Sequence, residues 1–197
     1  GTAVVFEAAT STYTSATFDS NANKVVVVYR DGGNADSGTA VVGTVSGTSI
    51  SFGTPVVFSG DSYYYSAVYN STTNQIIIAY RDDLNSSYGT LITGTVSGTS
   101  ISFGAKFVFA AKSTQQVNAV FDPNSNNVAL AYADGANSNY GTSVVYTTAS
   151  TNSADFIGIT DAAISNSASG SVTIKGGIST NVTGLTANAL YYVQDDG

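Results

Sequence analysis

Apolar and polar residues alternate along most of the chain in short runs, and each run ends at a cluster of Gly, Asn, Asp or Ser. The stretch Ile50-Ser51-Phe52 alternates strictly, whereas Ile76 to Tyr80 is an almost unbroken apolar run. Strict alternation is typical of a strand with one buried face, and an unbroken run is typical of a strand covered on both faces. The pattern therefore predicts short strands separated by tight turns.

The same pattern recurs along the chain. Residues 43–53 and 94–104 are identical, letter for letter, at an offset of 51 residues. Around them three copies of a longer unit align, with Phe18, Tyr69 and Phe121 at equivalent positions. A fixed period of this length is the signature of a repeat architecture. We place the three repeats at residues 1–52, 53–103 and 104–150.

Each repeat contains four predicted strands, which we call a, b, c and d. In the second repeat they cover residues 56–58, 67–70, 75–82 and 89–92. The b–c turns are rich in Asn, Asp and Ser, whose side chains bond their own backbone and tolerate left-handed geometry. A four-stranded antiparallel meander with a period of about 50 residues is typical of a β-propeller blade.

The predicted fold is therefore all-β: propeller-type blades to residue 150, followed by part of a small β domain over residues 151–197. Propellers have about four to eight blades. Three blades imply that further blades precede the first residue, that several chains complete one ring, or that the blades form an open array.

Composition narrows the function classes. The net charge is −7 with six Lys plus Arg, so the surface repels phosphate backbones, and we expect no nucleic-acid partner. No apolar run approaches the ~20 residues of a membrane helix, so we expect no membrane insertion. Cys and His are absent, which removes a thiol nucleophile and an imidazole base or metal ligand. We predict no catalytic residue, no cofactor and no metal site.

The acidic c–d turns, such as residues 31–36, are candidates for a calcium site because clustered oxygen ligands bind Ca²⁺. They lack the EF-hand spacing and its terminal Glu. Asp and Asn recur there at fixed offsets, as a structural Asx turn requires. The structural interpretation is therefore favoured.

The a–b segments vary between repeats whereas the b–c and d–a turns are nearly constant, and variable loops on a constant frame are typical of recognition surfaces. We predict a ligand site with Tyr63, Tyr64 and Tyr65 stacking on sugar rings. Arg81 and Asp82 would bind hydroxyl groups nearby. The alternative is that the tyrosines pack between blades.

Arg30 occupies the position of Arg81 in the first repeat. Because the two arginines belong to different predicted blades, we expect their guanidinium groups to point to different parts of the molecule.

The C-terminal part of the chain carries motifs of another kind. They are Phe156-Ile157-Gly158-Ile159, residues 170–177, Gly184-Leu185-Thr186 and residues 191–197. This segment resembles a C-terminal module of tailed-phage structural proteins, especially the tail fibres of marine phages. The repeats ahead of it resemble the propeller repeats that often precede this module. The resemblance implies a virion surface protein, often trimeric, which binds or displays toward the host.

The leading hypothesis is a non-enzymatic tail-fibre or appendage protein, located on the virion or outside the cell. Its expected partners are further copies of itself, for example in a trimer, other virion proteins and a host-surface glycan. The main rival is a secreted or cell-surface lectin assembled from repeats. A weaker alternative is the accessory part of a carbohydrate-active enzyme.

Overall fold

The computed structural model describes residues 1–147 together with two short stretches, 159–160 and 172–173. Residues 1–148 form one compact unit, whose described regular elements are β-strands apart from one 3-10 turn. The all-β prediction is therefore confirmed. The strands of this unit are β1 (Ser11–Asp19), β2 (Lys24–Asp31), β3 (Ser37–Ser46), β4 (Ser49–Phe52), β5 (Val56–Asn70), β6 (Gln75–Asp82), β7 (Tyr88–Ser97), β8 (Ser100–Asp122), β9 (Asn127–Asp134) and β10 (Tyr140–Thr147).

All ten strands belong to one antiparallel sheet. Its order is β1-β2-β3-β5-β6-β7-β8-β9-β10, and β4 pairs with the end of β3. Within the described residues this sheet is open, with β1 at one edge and β10 at the other. A three-residue 3-10 turn, Asp83–Asn85, follows β6.

The prediction that strands a and b are separate elements joined by a loop is wrong in the second and third repeats. There the two are one continuous strand, β5 or β8. The first part of β5 pairs with β3 and the second part with β6, with Asp61 opposite Ser37 and Ser62 opposite Asp82. Because the strand exchanges one partner for the next without a break, its backbone groups stay paired and no loop forms.

The backbone irregularities recur at the spacing of the sequence repeat. The ladder between β1 and β2, and its equivalents β5–β6 and β8–β9, each contain a register shift. The shifts surround residues with left-handed φ, at 51°, 58° and 52° respectively. These residues are Tyr13, Tyr64 and Gln116. A register shift of this kind is a β-bulge, which re-aims side chains at the end of a strand.

The predicted Asx turns between strands b and c are confirmed. In each repeat a side-chain oxygen at the end of strand b accepts backbone N–H bonds from the turn, and an Asn before strand c has a left-handed φ. The acceptors are Asp19, Asn70 and Asp122, with N···O distances of 2.8–3.1 Å. The left-handed residues are Asn23, Asn74 and Asn126.

The sheet bends at β5 and β8, so its three sections pack face to face around two apolar cores. Strand β6 lies between them. Its residues Ile76, Ile78 and Tyr80 belong to the core shared with the first repeat. Ile77 and Ala79 belong to the core shared with the third repeat. All five are fully buried, which confirms that the unbroken apolar run is covered on both faces.

The second compact unit comprises residues 149–197. Its described part is a short antiparallel pair, β11 (Ile159–Thr160) with β12 (Val172–Thr173). The predicted partial β module, and most of the residues that carry the phage resemblance, lie outside the described residues. Over the part of the chain that the structure describes, no helix is long and apolar enough to cross a membrane.

Candidate ligand-binding site

The first two repeats bring five side chains together at the end of the sheet where the bulges lie. We call them the tyrosine–arginine cluster: Tyr13, Arg30, Tyr63, Tyr64 and Arg81. The tyrosines come from the bulges of β1 and β5. The arginines are the penultimate residues of β2 and β6. The bulge interrupts the usual alternation of side chains, so that Tyr63 and Tyr64 both reach the cluster.

Tyr63 is the centre of the cluster. The guanidinium carbon of Arg30 lies 4.3 Å from the centroid of its ring, and that of Arg81 lies 4.8 Å from the same centroid. Both distances are within the range of a cation–π interaction. Tyr13 meets Tyr63 and Tyr64 edge to face, with centroid separations of 5.5 and 5.1 Å. These contacts fix the three rings relative to one another.

Carboxylates hold Arg30 in place. Its two terminal nitrogens form ion pairs with Asp36 at 2.7 Å and with Asp61 at 3.0 Å. The Asp61-bound nitrogen also donates to the hydroxyl of Tyr63 at 2.8 Å. Only 16% of the Arg30 side chain is exposed. Arg30 is therefore a fixed positioning group for the Tyr63 ring.

Arg81 is held by Asp83 in the same way. Its Nε and one terminal nitrogen donate to the two oxygens of that carboxylate, the second at 2.8 Å. This bidentate pair lowers the pKa of Asp83 below its ordinary value, mainly through the hydrogen bond to Arg81. The two guanidinium groups face three carboxylates in all, so the cluster carries no excess positive charge for a phosphate.

The expectation that Arg30 and Arg81 point to different parts of the molecule is wrong. Both lie against the ring of Tyr63. The reason is that the first two sections of the sheet pack face to face, and β5 crosses from one to the other. Tyr63 on β5 is therefore within reach of the same position in two successive repeats.

The structure separates Tyr65 and Asp82 from the other predicted site residues. Tyr65 is buried against Phe58 and Tyr80, and its burial raises the pKa of the phenol. Asp82 is 2% exposed and forms an ion pair with Lys106 at 2.8 Å. Tyr63, Tyr64 and Arg81 remain together in the cluster, whereas Tyr65 packs between sheet sections, as the alternative interpretation of the tyrosines proposed.

Sequence reasoning missed the contributions of Tyr13 and Arg30 to this site. The available signal was their spacing. Tyr13 precedes Tyr64 by 51 residues, and Arg30 precedes Arg81 by the same number. In a stacked repeat each copy contacts its neighbours, so equal positions in adjacent copies are candidates for one shared site.

The third repeat lacks the residues that would form a second copy of the cluster. Gln115 and Gln116 replace the two tyrosines of β5, and Ala133 replaces the arginine. The amide of Gln115 donates instead to Asn139 at 3.4 Å. Within the described residues, the cluster is thus specific to the junction of the first two repeats.

Tyr13 is the most accessible ring of the cluster, with 42% of its surface exposed. Tyr63 and Tyr64 are half-buried. The cluster therefore offers an exposed aromatic edge beside hydrogen-bonding hydroxyl and carboxylate groups. Such a surface can stack on a flat apolar face and bind hydroxyl groups at its rim.

The aspartates of the c–d turns accept hydrogen bonds from backbone N–H groups of the same turns. Asp31 accepts the N–H of Gly33 at 2.9 Å, and Asp134 accepts that of Ala136 at 3.0 Å. Asp134 also pairs with Lys112 at 2.8 Å, and its hydrogen bond to Lys112 lowers its pKa. Asp134 therefore stays ionised, which does not suit a general acid. Among the residues that the structure describes, no group of three candidate ligands could hold a metal ion.

The chain matches no protein-family model, no curated protein and no solved structure.

Proposed function

We propose that this chain is a non-enzymatic recognition protein that binds a glycan at the tyrosine–arginine cluster. The observation that carries the proposal is the fixed arrangement of three tyrosine rings, one of them 42% exposed, around two neutralised guanidinium groups. Aromatic rings supply large contact area at low entropic cost. Carboxylates and phenols at the rim supply hydrogen bonds to sugar hydroxyls.

The charge of the cluster favours a neutral sugar over a phosphorylated or sialylated one. The guanidinium groups are already engaged by Asp36, Asp61 and Asp83. A ligand anion would have to displace these carboxylates or meet their charge. A neutral oligosaccharide needs only an aromatic face and hydroxyl partners.

We further propose that the repeats are propeller-type blades. Three features support this: the 51- or 52-residue recurrence of the bulges, the face-to-face packing around two cores, and the proximity of β1, β5 and β8 in successive repeats. Strands of neighbouring blades approach one another in the same way around a propeller axis. The cluster would then lie between two blades at one end of the array.

Binding should be tested with an array of immobilised neutral and acidic oligosaccharides. Replacing both Tyr13 and Tyr64 by Ala removes the exposed edge but leaves the Tyr63–arginine contacts. We expect saturable binding of neutral glycans by the native chain and at least about tenfold weaker binding by this variant. The matched control is Tyr140→Ala, which removes a 63% exposed tyrosine of the third repeat.

The melting temperature of each variant is measured in parallel. Equal loss of binding in the Tyr140 variant, or unchanged binding in the Tyr13/Tyr64 variant, would contradict the proposed site. Tyr13→Phe provides a finer test, because the ring is retained and the hydroxyl removed. If stacking dominates, this variant keeps most of the affinity.

The resemblance of residues 156–197 is the ground for placing this recognition protein on a phage virion, exposed to the host surface. A virion appendage should co-purify with phage particles and be labelled on them by an antibody against this chain. A secreted or cell-surface lectin, the rival proposal, would show the same glycan binding without that association.

A further inference from the structure

Phe6 packs against the rest of the first repeat in the same way as Phe58 of β5 packs against the second repeat. The ring of Phe6 is 5.0 Å from that of Tyr29 and 5.8 Å from that of Phe52. In the next repeat the equivalent ring, Phe58, is 5.5 Å from Tyr80 and 5.3 Å from Phe103. The sequence offset between these two sets is 51 or 52 residues. Residues 4–6 therefore occupy the position of the first residues of β5.

The two segments differ in their backbone partner. Residues at the start of β5 pair with β3 of the preceding repeat, with Val57 opposite Thr39 and Val56 opposite Ala40. Val4 and Val5 lie outside any strand and Phe6 lies in a bend, and no described strand pairs with them. Val4 is 45% exposed and Val5 is 77% exposed. These exposed apolar residues lack the backbone pairing that their equivalents in β5 have.

At the opposite end of the described sheet, strand β10 has an edge to which a further strand could pair. Strand β10 is the equivalent of β3 and β7, but within the described residues it pairs with β9 alone. Its Val145 is 60% exposed. At β3 and β7, the strand that follows covers this edge. An apolar groove of about 350 Å³ runs beside β10, lined by Phe107, Val108, Phe109, Val144, Val145, Tyr146 and Thr147.

Neighbouring repeats are also joined by a hydrogen bond from a backbone N–H to a side-chain hydroxyl, and the third repeat has no described partner for it. The hydroxyl of Ser15 accepts the N–H of Ala67 at 3.1 Å, and the hydroxyl of Ser66 accepts that of Ala119 at 2.9 Å. The next acceptor in the series is Asn118, which is exposed. The corresponding donor at the other end of the array is the N–H of Ala16.

We propose that a second copy of this chain docks head to tail on β10, with its residues 4–6 added as the next antiparallel strand. The internal junctions fix the register, since Thr90 of β7 also lies opposite Val108, the equivalent of Val57. By this register Val5 of one copy lies opposite Thr142 of the other, and Val4 lies opposite Ser143. The carbonyl oxygen of the Asn118 side chain then accepts the N–H of Ala16.

A second copy is the favoured occupant because this chain already makes the same junction twice within itself. The two ends present the two halves of that junction, so the contact is heterologous and joins unlike surfaces. Both end surfaces are less apolar than the internal ones: Ser143 replaces Leu91, and Val25 and Val27 replace Ile76 and Ile78. Association should therefore be weaker than the internal packing. This inference is independent of what the tyrosine–arginine cluster binds.

The register can be tested by a disulfide between copies, because the chain has no cysteine of its own. Directly opposed antiparallel residues have Cα atoms about 4.5–5.5 Å apart. This distance is within the range that a disulfide spans. The full chain carrying Val5→Cys and Thr142→Cys should form covalent oligomers on mild oxidation. The matched control carries Val5→Cys and Thr147→Cys, whose second position lies about 17 Å further along β10.

Isotopic labelling of half of the protein distinguishes a bond between copies from a bond within one chain. The expected result is a mixed-label disulfide peptide that joins positions 5 and 142, with little or none from the control pair. An unlinked chain, a bond within single chains only, or equal linking in the control would overturn the proposal.

Association without cysteines is measured by sedimentation velocity over a range of concentrations. The native chain should self-associate. Val4→Asp should weaken association on the order of 100-fold, because its equivalent Val56 packs against an internal core and a charge there would lie in an apolar contact. Val120→Asp on the opposite end face should do the same, and a mixture of the two variants should form a complex through its one intact junction. A native chain that stays monomeric, or a mixture that does not associate, would refute head-to-tail docking.

Discussion

One side-chain oxygen at the end of strand b accepts backbone hydrogen bonds from the b–c turn in each of the three repeats. In the second repeat it is Asn70, which is fully buried and accepts the N–H groups of Thr72 and Thr73 at 2.8 and 3.1 Å. The first and third repeats have Asp at this position. The chemistry that the position requires is therefore one oxygen acceptor, and the amide nitrogen is dispensable.

We predict that Asn70→Ala lowers the free energy of unfolding by about 1–3 kcal/mol. The substitution leaves two backbone donors without their acceptor in a turn that is partly buried. The unfolding midpoint in urea measures the effect. Asn70→Asp is the control, because it restores the residue found in the other two repeats and should retain most of the stability. If both variants lose stability equally, the oxygen acceptor is not what the position requires.

At the scale of the element, β6 is the strand on which both cores depend. Adjacent residues of one strand point to opposite faces, so Ile77 and Ile78 serve different cores. Each is fully buried. Truncating one of these two side chains should therefore leave the packing around the other intact.

We predict that Ile77→Ala and Ile78→Ala each destabilise the protein by about 2–5 kcal/mol, the usual cost of truncating a buried isoleucine. Val145→Ala, on the 60% exposed edge of the sheet, should change stability by no more than about 0.5 kcal/mol. Equilibrium urea unfolding of the three single variants, at a concentration where the chain is monomeric, provides the comparison. If Val145→Ala destabilises the protein as much as the two core variants do, β10 is covered by something other than solvent.

The sequence predicts these elements well where a local rule determines them. The apolar run of β6 indicates a strand covered on both faces, and the Asx residues indicate the b–c turns. The prediction fails at β5, because Ser59-Gly60-Asp61-Ser62 has the composition of a loop. Pairing with β3 and then β6 keeps this segment extended, and tertiary pairing overrides local preference.

The candidate site is predictable to a similar extent. Variable aromatic residues at the end of strand a direct attention to Tyr63 and Tyr64. Burial of Tyr65 depends on which face of β5 it occupies after the bulge, and a bulge has no clear sequence signal here. The meeting of Arg30 and Arg81 at one ring follows from how the sheet sections pack, which a single repeat does not encode.

At the scale of the whole molecule, the three described repeats form one inner section and two outer sections. The β6 section packs against neighbours on both faces. The third section has a packed neighbour on one face and exposed residues on the other, such as Val120 of β8 and Val145 of β10. In stacked repeats, stability is approximately the sum of each repeat and its contacts with its neighbours. The ends should therefore open at lower free energy than the centre.

Amide hydrogen exchange followed by mass spectrometry, at a concentration where the chain is monomeric, tests this gradient. We predict the slowest exchange in β6 and faster exchange in β9 and β10. Leu130→Ala should sharpen the contrast, because Leu130 is fully buried in the core between the second and third repeats and is absent from the other core. The variant should accelerate exchange in β9 and β10 and leave β2 nearly unchanged. If β2 accelerates as much as β9, the repeats open as one cooperative unit, and the strand crossings at β5 and β8 couple them more strongly than nearest-neighbour packing alone.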